Sequence, residues 1–209
     1  MLKIFFREVV NAAKGRAIFI DRDGVINCRR PGDYVLNWSQ FVFVPGIREA
    51  LKQLSSLGLP MIVISNQAAV GKGLLSQAGL EEISARMNEA LLADGTSLAA
   101  AYYCPHRVED ECPCRKPKPA LLLSAASDFN IELSRSIFVG DSESDVQAAH
   151  AARCQPIVAC AGIGISQDSS KWMADIPVAP TPGALFQTAG KCLQSEIPLV
   201  DCERAAEKT

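Results

Sequence analysis

The chain alternates short, continuous apolar runs with longer stretches in which apolar residues recur every three or four positions. The short runs have the length and composition of strands that are covered on both faces of a parallel sheet. The longer stretches predict amphipathic helices packed on that sheet. The predicted fold class is therefore α/β, a Rossmann-like parallel sheet with helices on both faces. The predicted strands are Ala17–Ile20, Pro60–Ile64, Leu98–Tyr103, Ile137–Gly140, Pro156–Cys160 and Ile176–Ala179, and the predicted helices are 45–57, 76–93, Ala120–Phe129, Val146–Arg153 and Ala184–Leu193.

The two ends of the chain differ from its middle. Residues 1–15 mix apolar pairs with charged residues and predict a short amphipathic helix, which we treat as an N-terminal extension. Residues 16–195 predict one domain, because 209 residues with 48% hydrophobic composition suit a single core. The charged segment 196–209 predicts a flexible tail.

The charge balance gives no reason to expect a nucleic-acid or membrane partner. The chain has 21 basic and 23 acidic residues, a net charge of −2. A near-neutral chain has no general attraction to polyanions. No apolar run approaches the roughly 18 residues that a bilayer-spanning helix needs, and the charged N-terminus is a poor secretory signal. We expect a cytoplasmic monomer.

Two aspartates follow the first predicted strand. Asp21 and Asp23 stand one residue apart, so an extended backbone points both side chains the same way. Carboxylates this close repel each other unless a cation, a proton or phosphoryl chemistry engages them. Gly24 lets the chain turn sharply behind them. The same residues also suit an ordinary turn, and this alternative stays open on the motif alone.

Polar residues end two further predicted strands. Ser65 and Asn66 follow the second strand, where they could contact a phosphoryl group or simply cap a helix. Asp141 follows the fourth strand and could complete an oxygen-ligand site for Mg²⁺ with the first aspartate pair. Asp145, four residues later, could instead support the loop or the helix N-terminus.

Three of the eight cysteines cluster with a histidine. The pair Cys104 and His106 is followed, after five residues, by the equally spaced pair Cys112 and Cys114. Three thiolates and an imidazole match a closed, four-coordinate zinc site that holds a loop and leaves no position for a catalytic water. A disulfide and unbound thiols are the alternatives. The absence of a secretion signal favours the metal.

Basic residues follow this cysteine cluster. Arg115 and Lys116 come directly after Cys114, so a metal loop would fix where these cations point. Arg29 lies in the long segment 28–44 beside the aspartates, where it could meet an anionic substrate or simply be solvated. We predict that both arginines contact substrate.

Carboxylates, a hydroxyl and a lysine at neighbouring strand ends have complementary roles in phosphoryl transfer. Mg²⁺ would offset the repulsion between the carboxylates and a phosphate dianion, while Ser65 and Lys116 hold the phosphoryl oxygens. Asp21 would attack phosphorus and form an aspartyl phosphate. Asp23 would protonate the leaving alcohol and then take a proton from the hydrolytic water.

These motifs together resemble the haloacid dehalogenase superfamily over roughly residues 17–162. The motifs that carry the resemblance are Asp-Arg-Asp-Gly-Val-Ile-Asn, Ser-Asn-Gln, Tyr-Cys-Pro-His with Cys-Pro-Cys-Arg-Lys-Pro, and Val-Gly-Asp-x-x-x-Asp. Within the superfamily they look like the zinc-containing D-glycero-D-manno-heptose 1,7-bisphosphate 7-phosphatases, with the histidinol-phosphate phosphatases close to them. The resemblance implies a catalytic Mg²⁺, a structural Zn²⁺, a small phosphorylated substrate and no large cap domain.

The resemblance also implies a role for each matching residue. Asp21 would be the nucleophile and a Mg²⁺ ligand, Asp23 the acid/base that gives its backbone carbonyl to Mg²⁺, and Asp141 the remaining protein ligand. Other matching positions are phosphoryl-stabilising (Ser65, Lys116), substrate-recognising (Arg115) and zinc-binding (Cys104, His106, Cys112, Cys114).

Some features depart from the heptose-specific pattern. Ser142 stands where heptose-specific members often place a lysine, and we predict that it lies near the substrate. The five-residue spacer between the zinc pairs is closer to the histidinol-phosphate type. Arg115 and the segment after the aspartates favour a phosphosugar, so heptose bisphosphate stays first and histidinol phosphate second. A phosphotransferase or mutase, and a binding protein that lost activity, are further alternatives.

Overall fold

The computed structural model describes residues 1–7, 15–30, 32–160, 172–173 and 175–194, which form a seven-stranded sheet with helices on both faces. The predicted α/β class is confirmed. The strands are β1 (Leu2–Phe5), β2 (Ile18–Ile20), β3 (Met61–Asn66), β4 (Leu98–Cys104), β5 (Ile137–Gly140), β6 (Gln155–Ala159) and β7 (Val178–Ala179). The α-helices are α1 (Ile47–Ser55), α2 (Ala68–Gly71), α3 (Gln77–Ala93), α4 (Ala120–Phe129), α5 (Glu143–Ala151) and α6 (Pro182–Gln194).

The strand order places the middle of the sheet at β2. The order is β1-β4-β3-β2-β5-β6-β7, and all neighbouring pairs are parallel except β1 with β4. The chain runs outward from β2 through β3 to β4, then crosses to the other side of β2 for β5 and β6. Ligands of such sheets bind beyond the carboxyl ends of the strands where the order reverses. That position here is the crevice between β2 and β5.

Apolar side chains fill both faces of the sheet, which is why its central strands carry no polar alternation. Ile18 and Ile20 of β2 face one cluster of buried side chains, and Phe19 faces the other. The first cluster includes apolar residues of α1, α3 and α6, whereas the second includes those of α4 and α5. The predicted helical cover on both faces is therefore confirmed.

The first strand corrects the prediction for the chain start. Residues Leu2–Phe5 form an antiparallel edge strand on β4 and not the predicted amphipathic helix. Leu2 and Ile4 are half-buried against the core, while Lys3 and Phe5 alternate with them on the other face. The signal is a period of two, which in so short a segment is easily confused with a helical pattern. Residues 8–14 lie outside the described residues.

No separate cap domain interrupts the described part of the sheet, whose connections are loops and single helices. The predicted flexible tail, residues 196–209, lies outside the described residues. The domain limits at residues 16 and 195 stay predictions. Among the described helices, none combines the length and the apolar character needed to cross a bilayer.

Candidate active site

Carboxylates of two neighbouring strands meet at the crevice. Asp21 follows β2 and Asp141 follows β5, and the Asp21 N–H donates to the carbonyl of Val139 at 2.8 Å, which ties the two strand ends together. Asp141 approaches the turn after β2 so closely that a Cβ on Gly24 would lie 1.8 Å from its Oδ2. Gly24 also has a φ of 96°. Only glycine fits both the space and the backbone conformation.

Lys116 supplies a positive charge to this carboxylate cluster. Its ammonium lies 3.0 Å from Asp21 Oδ1 and 2.6 Å from Asp145 Oδ1. It also donates to the carbonyl of Ile64 at 3.0 Å. Burial alone would lower the pKa of Lys116, but the charges of Asp145 and Asp21 outweigh it and raise that pKa. The ammonium is therefore charged and aimed at the carboxylate predicted to attack phosphorus.

Asp145 is held by protein groups through one of its two carboxylate oxygens. Its Oδ2 accepts from the Ser142 N–H at 3.1 Å and hydroxyl at 2.6 Å, and from the Asp141 N–H at 3.2 Å. The bond from the Ser142 N–H is half of a capping box at the start of α5, in which the Ser142 side chain accepts in turn from the Asp145 backbone. Of the roles left open for Asp145, the structure supports the one at the helix N-terminus, together with an ion pair to Lys116.

The residues at the crevice fit a hard divalent cation. Asp21, Asp141 and Asp145 each place a carboxylate oxygen within 4.8 Å of the others, and Asp141 Oδ2 is buried without a hydrogen-bond partner in the described structure. Burial and neighbouring carboxylates raise the pKa of Asp21 to about 6 despite Lys116. Burial and the charge of Asp21 raise the pKa of Asp141 to about 7 despite Arg29. The cluster is short of positive charge, and carboxylate oxygens are ligands that Mg²⁺ takes.

Asp23 lies beside this cluster, and three side chains donate hydrogen bonds to its carboxylate. Gln67 Nε2 donates to its Oδ2 at 2.7 Å, Asn27 Nδ2 donates to its Oδ1 at 2.9 Å, and Arg22 Nη2 lies 3.0–3.1 Å from both oxygens. Burial would raise the pKa of Asp23, but the guanidinium charge and the amide hydrogen bonds outweigh it and lower that pKa. Asp23 is therefore a carboxylate before any substrate arrives.

The end of β3 is tied to the segment that carries Lys116. Asn66 Nδ2 donates to the Lys116 carbonyl at 3.2 Å, and the Lys116 N–H donates to Asn66 Oδ1 at 3.1 Å. Ser65 is buried, and its Oγ accepts from Gln67 Nε2 at 3.2 Å. Asn66 thus positions Lys116, a contact that the sequence did not predict. The predicted contact of Asn66 with substrate stays a prediction.

The four residues Cys104, His106, Cys112 and Cys114 form a compact group, which we call the cysteine cluster. Cys104 Sγ lies 3.5 Å from Cys112 Sγ and 3.6 Å from His106 Nδ1, and Cys114 Sγ lies 3.3 Å from His106 Nδ1 and 3.8 Å from Cys112 Sγ. A tetrahedral zinc site with bonds of about 2.0–2.3 Å has edges of this size. The three cysteines are thiols, so the disulfide alternative is wrong here. The cluster can hold a metal ion.

A cavity of about 570 Å³ opens onto the carboxylates. The remaining predicted substrate residues line it. Arg29 pairs with Asp141 Oδ1 at 2.6 Å, Arg115 Nη1 donates to the His106 carbonyl at 3.3 Å, and Ser142 lies at the start of α5. The structure brings these residues to one cavity, and their contacts with substrate stay predictions.

Three polar residues of the site were not assigned a role from the sequence: Arg22, Asn27 and Gln67. Arg22 stands between the two aspartates with its side chain buried, and Asn27 is completely buried. The available signals were a basic residue between two acids, an isolated amide after Val25-Ile26, and the third polar residue of Ser-Asn-Gln. None of these signals indicates by itself that all three side chains converge on Asp23.

Comparison with known proteins agrees with this geometry. The family model of haloacid dehalogenase-like hydrolases matches residues 5–153. D-glycero-beta-D-manno-heptose-1,7-bisphosphate 7-phosphatase of Pseudomonas aeruginosa is 37% identical over 148 residues, 71% of this chain and 83% of that protein. D-glycero-alpha-D-manno-heptose-1,7-bisphosphate 7-phosphatase of Mycobacterium tuberculosis is 40% identical over 159 residues, 76% of this chain and 83% of that protein.

A solved structure shares the fold as well. The crystal structure of D,D-heptose 1,7-bisphosphate phosphatase from B. bronchiseptica, complexed with magnesium and phosphate, superposes with a TM-score of 0.74 at 28% identity. The match covers 84% of this chain and 98% of that one. The predicted family is confirmed: the chain belongs to the haloacid dehalogenase-like hydrolases and is a phosphatase that acts on phosphate monoesters.

Proposed function

We propose that the protein is a Mg²⁺-dependent phosphatase that removes the 7-phosphate of D-glycero-D-manno-heptose 1,7-bisphosphate through an aspartyl-phosphate intermediate. The observation that carries this proposal is the junction of β2 and β5, where Asp21, Lys116 and Asp141 meet under a cavity lined by arginines. The relatives named for this reaction, which match over most of their length, support the same substrate.

The metal site of the proposal uses the residues that fit a hard cation. The carboxylates of Asp21 and Asp141 and the backbone carbonyl of Asp23 would hold Mg²⁺, which offsets the negative charge of an incoming phosphate when bound. Because Arg29 pairs with Asp141 in the structure, it lies close to where the substrate phosphate would enter. Arg29, Arg115, Asn66 and Ser142 are the proposed substrate contacts.

The first half-reaction transfers the phosphoryl group to the protein. Asp21 attacks phosphorus, and the bond from phosphorus to the sugar oxygen breaks. Lys116 and the hydroxyl of Ser65 hold phosphoryl oxygens, so charge that develops there meets fixed donors. Lys116 already points at Asp21 Oδ1, and burial keeps competing water away from that contact.

Asp23 moves the protons of both half-reactions. The negative charge of a bound phosphate raises the proton affinity of a neighbouring carboxylate, which lets Asp23 bind the proton that the leaving oxygen needs. After the alcohol leaves, the Asp23 carboxylate takes a proton from the water that attacks the aspartyl phosphate. The lowered pKa of Asp23 in the substrate-free protein favours the ionised carboxylate, which is the protonation state that this second role requires.

The cysteine cluster has a structural role in the proposal. The four side chains would fill every coordination position of a bound Zn²⁺, so the ion would take no part in the chemistry. It would fix the loop that begins at Cys104 and ends directly before Arg115 and Lys116. The cytoplasmic location and the monomeric state stay predictions from composition.

Steady-state phosphate release with Mg²⁺ tests the proposed substrate. Both anomers of heptose 1,7-bisphosphate and histidinol phosphate are compared, with Asp21→Asn as the blank. We expect kcat/KM to be about 100-fold higher for a heptose anomer, since that preference needs only about 2.7 kcal/mol of transition-state discrimination. A preference of the same size for histidinol phosphate over both heptose anomers would contradict the proposed substrate and leave the phosphatase chemistry intact.

A further inference from the structure

Both oxygens of the Asp23 carboxylate are held by donors from different parts of the chain. Asn27 reaches Oδ1 from the same turn, whereas Gln67 reaches Oδ2 from the N-terminus of α2, 44 residues away in sequence. Gln67 makes the shorter of the two amide contacts, 2.7 Å against 2.9 Å. Gln67 itself is buried, at 3% exposure. The orientation of Asp23 is therefore set largely by groups that the proposed mechanism does not use.

Gln67 connects Asp23 to the phosphoryl-binding side of the site. Its Nε2 donates to Asp23 Oδ2 and also to Ser65 Oγ at 3.2 Å. An amide nitrogen carries two hydrogens, so it can serve both acceptors at once, and the reversed amide would set an oxygen against the carboxylate. Because Ser65 Oγ accepts this bond, its own hydroxyl hydrogen stays available for a phosphoryl oxygen.

The backbone of Gln67 is fixed as firmly as its side chain. Its N–H donates to the carbonyl of Cys104 at 2.7 Å, at the end of β4 where the cysteine cluster begins. The same loop is bound to α2 a second time, by the Gly71 N–H to the Pro105 carbonyl at 2.8 Å. A side chain anchored at both ends is suited to hold another group in one orientation.

We propose that Gln67 is a positioning residue that aims Asp23 at the leaving-group oxygen. This inference rests on the proposed function, in which Asp23 protonates that oxygen. Gln67 itself exchanges no proton and acts through Asp23. Without its Nε2, one oxygen of Asp23 loses its shortest contact, and the carboxyl group can turn away from the line of proton transfer.

Dependence on the leaving group distinguishes this role from a general structural one. A sugar alkoxide leaves poorly without a proton, whereas p-nitrophenolate leaves without one. The constant kcat/KM reports steps up to the departure of the first product, so it isolates proton donation from the later hydrolysis of the aspartyl phosphate. A defect in aiming Asp23 should therefore appear with the sugar phosphate and be small with p-nitrophenyl phosphate.

The experiment uses Gln67→Met, which keeps the length of the side chain and removes its donors, with Gln67→Leu as the second variant if the first does not fold. We expect kcat/KM for heptose 1,7-bisphosphate to fall about 30-fold, through kcat with KM unchanged, and kcat/KM for p-nitrophenyl phosphate to fall less than about 3-fold. Gln53→Met, on the exposed face of α1, is the matched control and should change neither.

Asp23→Asn, measured on both substrates, separates the positioning role of Gln67 from the general-acid role of Asp23. One outcome is that Asp23→Asn shows the leaving-group dependence while the Gln67 variants lower kcat/KM equally for both substrates, or leave both values unchanged. That outcome overturns the positioning role of Gln67 and leaves the proposed function standing. If Asp23→Asn itself lowers kcat/KM equally for both substrates, the general-acid role in the proposed function fails, and the positioning role of Gln67 fails with it.

Discussion

Two clusters of possible metal ligands lie at the same edge of the sheet and differ in how they are enclosed. The cysteine cluster supplies four ligand side chains from one loop, so a bound ion would have no position left for substrate. The carboxylate of Asp21, which has a carboxylate oxygen of Asp141 within 4.8 Å, instead lines a cavity of about 570 Å³. The difference suggests that one cluster stabilises a loop while the other carries out chemistry.

The two clusters are connected by short contacts. The loop of the cysteine cluster leads directly into Lys116, whose ammonium lies against Asp21. The carbonyl of Cys104 accepts from the N–H of Gln67, whose side chain holds Asp23. A change at the cysteine cluster should therefore affect catalysis by displacing Lys116 and Gln67, whereas a change at the carboxylates should affect it directly.

The largest effect is expected from Asp21→Asn, which removes the proposed nucleophile and keeps the shape of the side chain. We expect kcat to fall at least about 10⁴-fold, as for other residues that form the covalent intermediate. Burial disfavours the charged form of Asp21 in the folded protein. The thermal unfolding midpoint should therefore not fall when a neutral side chain of the same shape replaces it. Phosphate release and calorimetry measure the two quantities. Loss of activity together with unfolding would contradict a purely chemical role.

The next effect is expected from Cys112→Ser, which removes one ligand of the cysteine cluster. Zinc content should fall from about one ion per chain toward zero, and the free energy of unfolding should fall by about 4 kcal/mol, the linkage value for a ligand at 1,000 times its dissociation constant. Metal analysis and denaturant titration measure both. Cys28→Ser, outside the cluster, is the control and should retain the metal. Full activity without zinc would contradict the structural role.

Lys116→Met tests the buried charge that joins the clusters. The variant leaves Asp21 and Asp145 buried without their cation, which should lower the free energy of unfolding by about 3 kcal/mol. Lys52→Met, on the exposed face of α1, is the matched control and should have little effect. Urea titration without Mg²⁺ measures the change. A variant as stable as the wild type would mean that the two carboxylates are neutral in the folded protein.

The smallest effect is expected far from both clusters, at β1. Lys3 pairs with Asp128 at 2.6 Å on the protein surface, so Lys3→Met should lower the free energy of unfolding by about 0.5 kcal/mol. Partial burial would raise the pKa of Asp128, but the hydrogen bonds from Lys3 and Tyr102 outweigh that effect and lower the pKa. A carboxylate with a lowered pKa stabilises the fold above its unfolded-state pKa of about 3.9 and loses that contribution as the pH falls through its folded-state pKa.

The difference between Lys3→Met and the wild type should therefore be present at neutral pH and vanish in acid. Urea titrations at several pH values measure it, with Lys52→Met again as the control. A difference that persists below the pKa of Asp128 would mean that Lys3 acts through packing on the ring of Tyr102, 5.5 Å from its ammonium.

The strand ends of the site could be predicted from the sequence because the carboxyl ends of parallel strands meet at one edge. Apolar runs located Asp21 and Asp141, and spacing located the cysteine cluster. The set of donors around Asp23 could not be predicted, because Gln67 comes close to Asp23 only when β2 and β3 pair. The contact of Asn66 with the Lys116 backbone, 50 residues away, likewise depends on the folded loop. The edge strand β1 was missed because four residues carry too little periodicity to separate strand from helix.

Trapping a covalent phosphoenzyme on Asp21 tests the proposed mechanism most directly. The protein with Mg²⁺ is mixed with heptose 1,7-bisphosphate radiolabelled at the transferred phosphate, quenched in acid within the first turnover, and digested. We predict label on the peptide that contains Asp21, absent from Asp21→Asn and lost on treatment with hydroxylamine. Rapid release of labelled phosphate in that first turnover, with no label on protein at any time, would contradict the account.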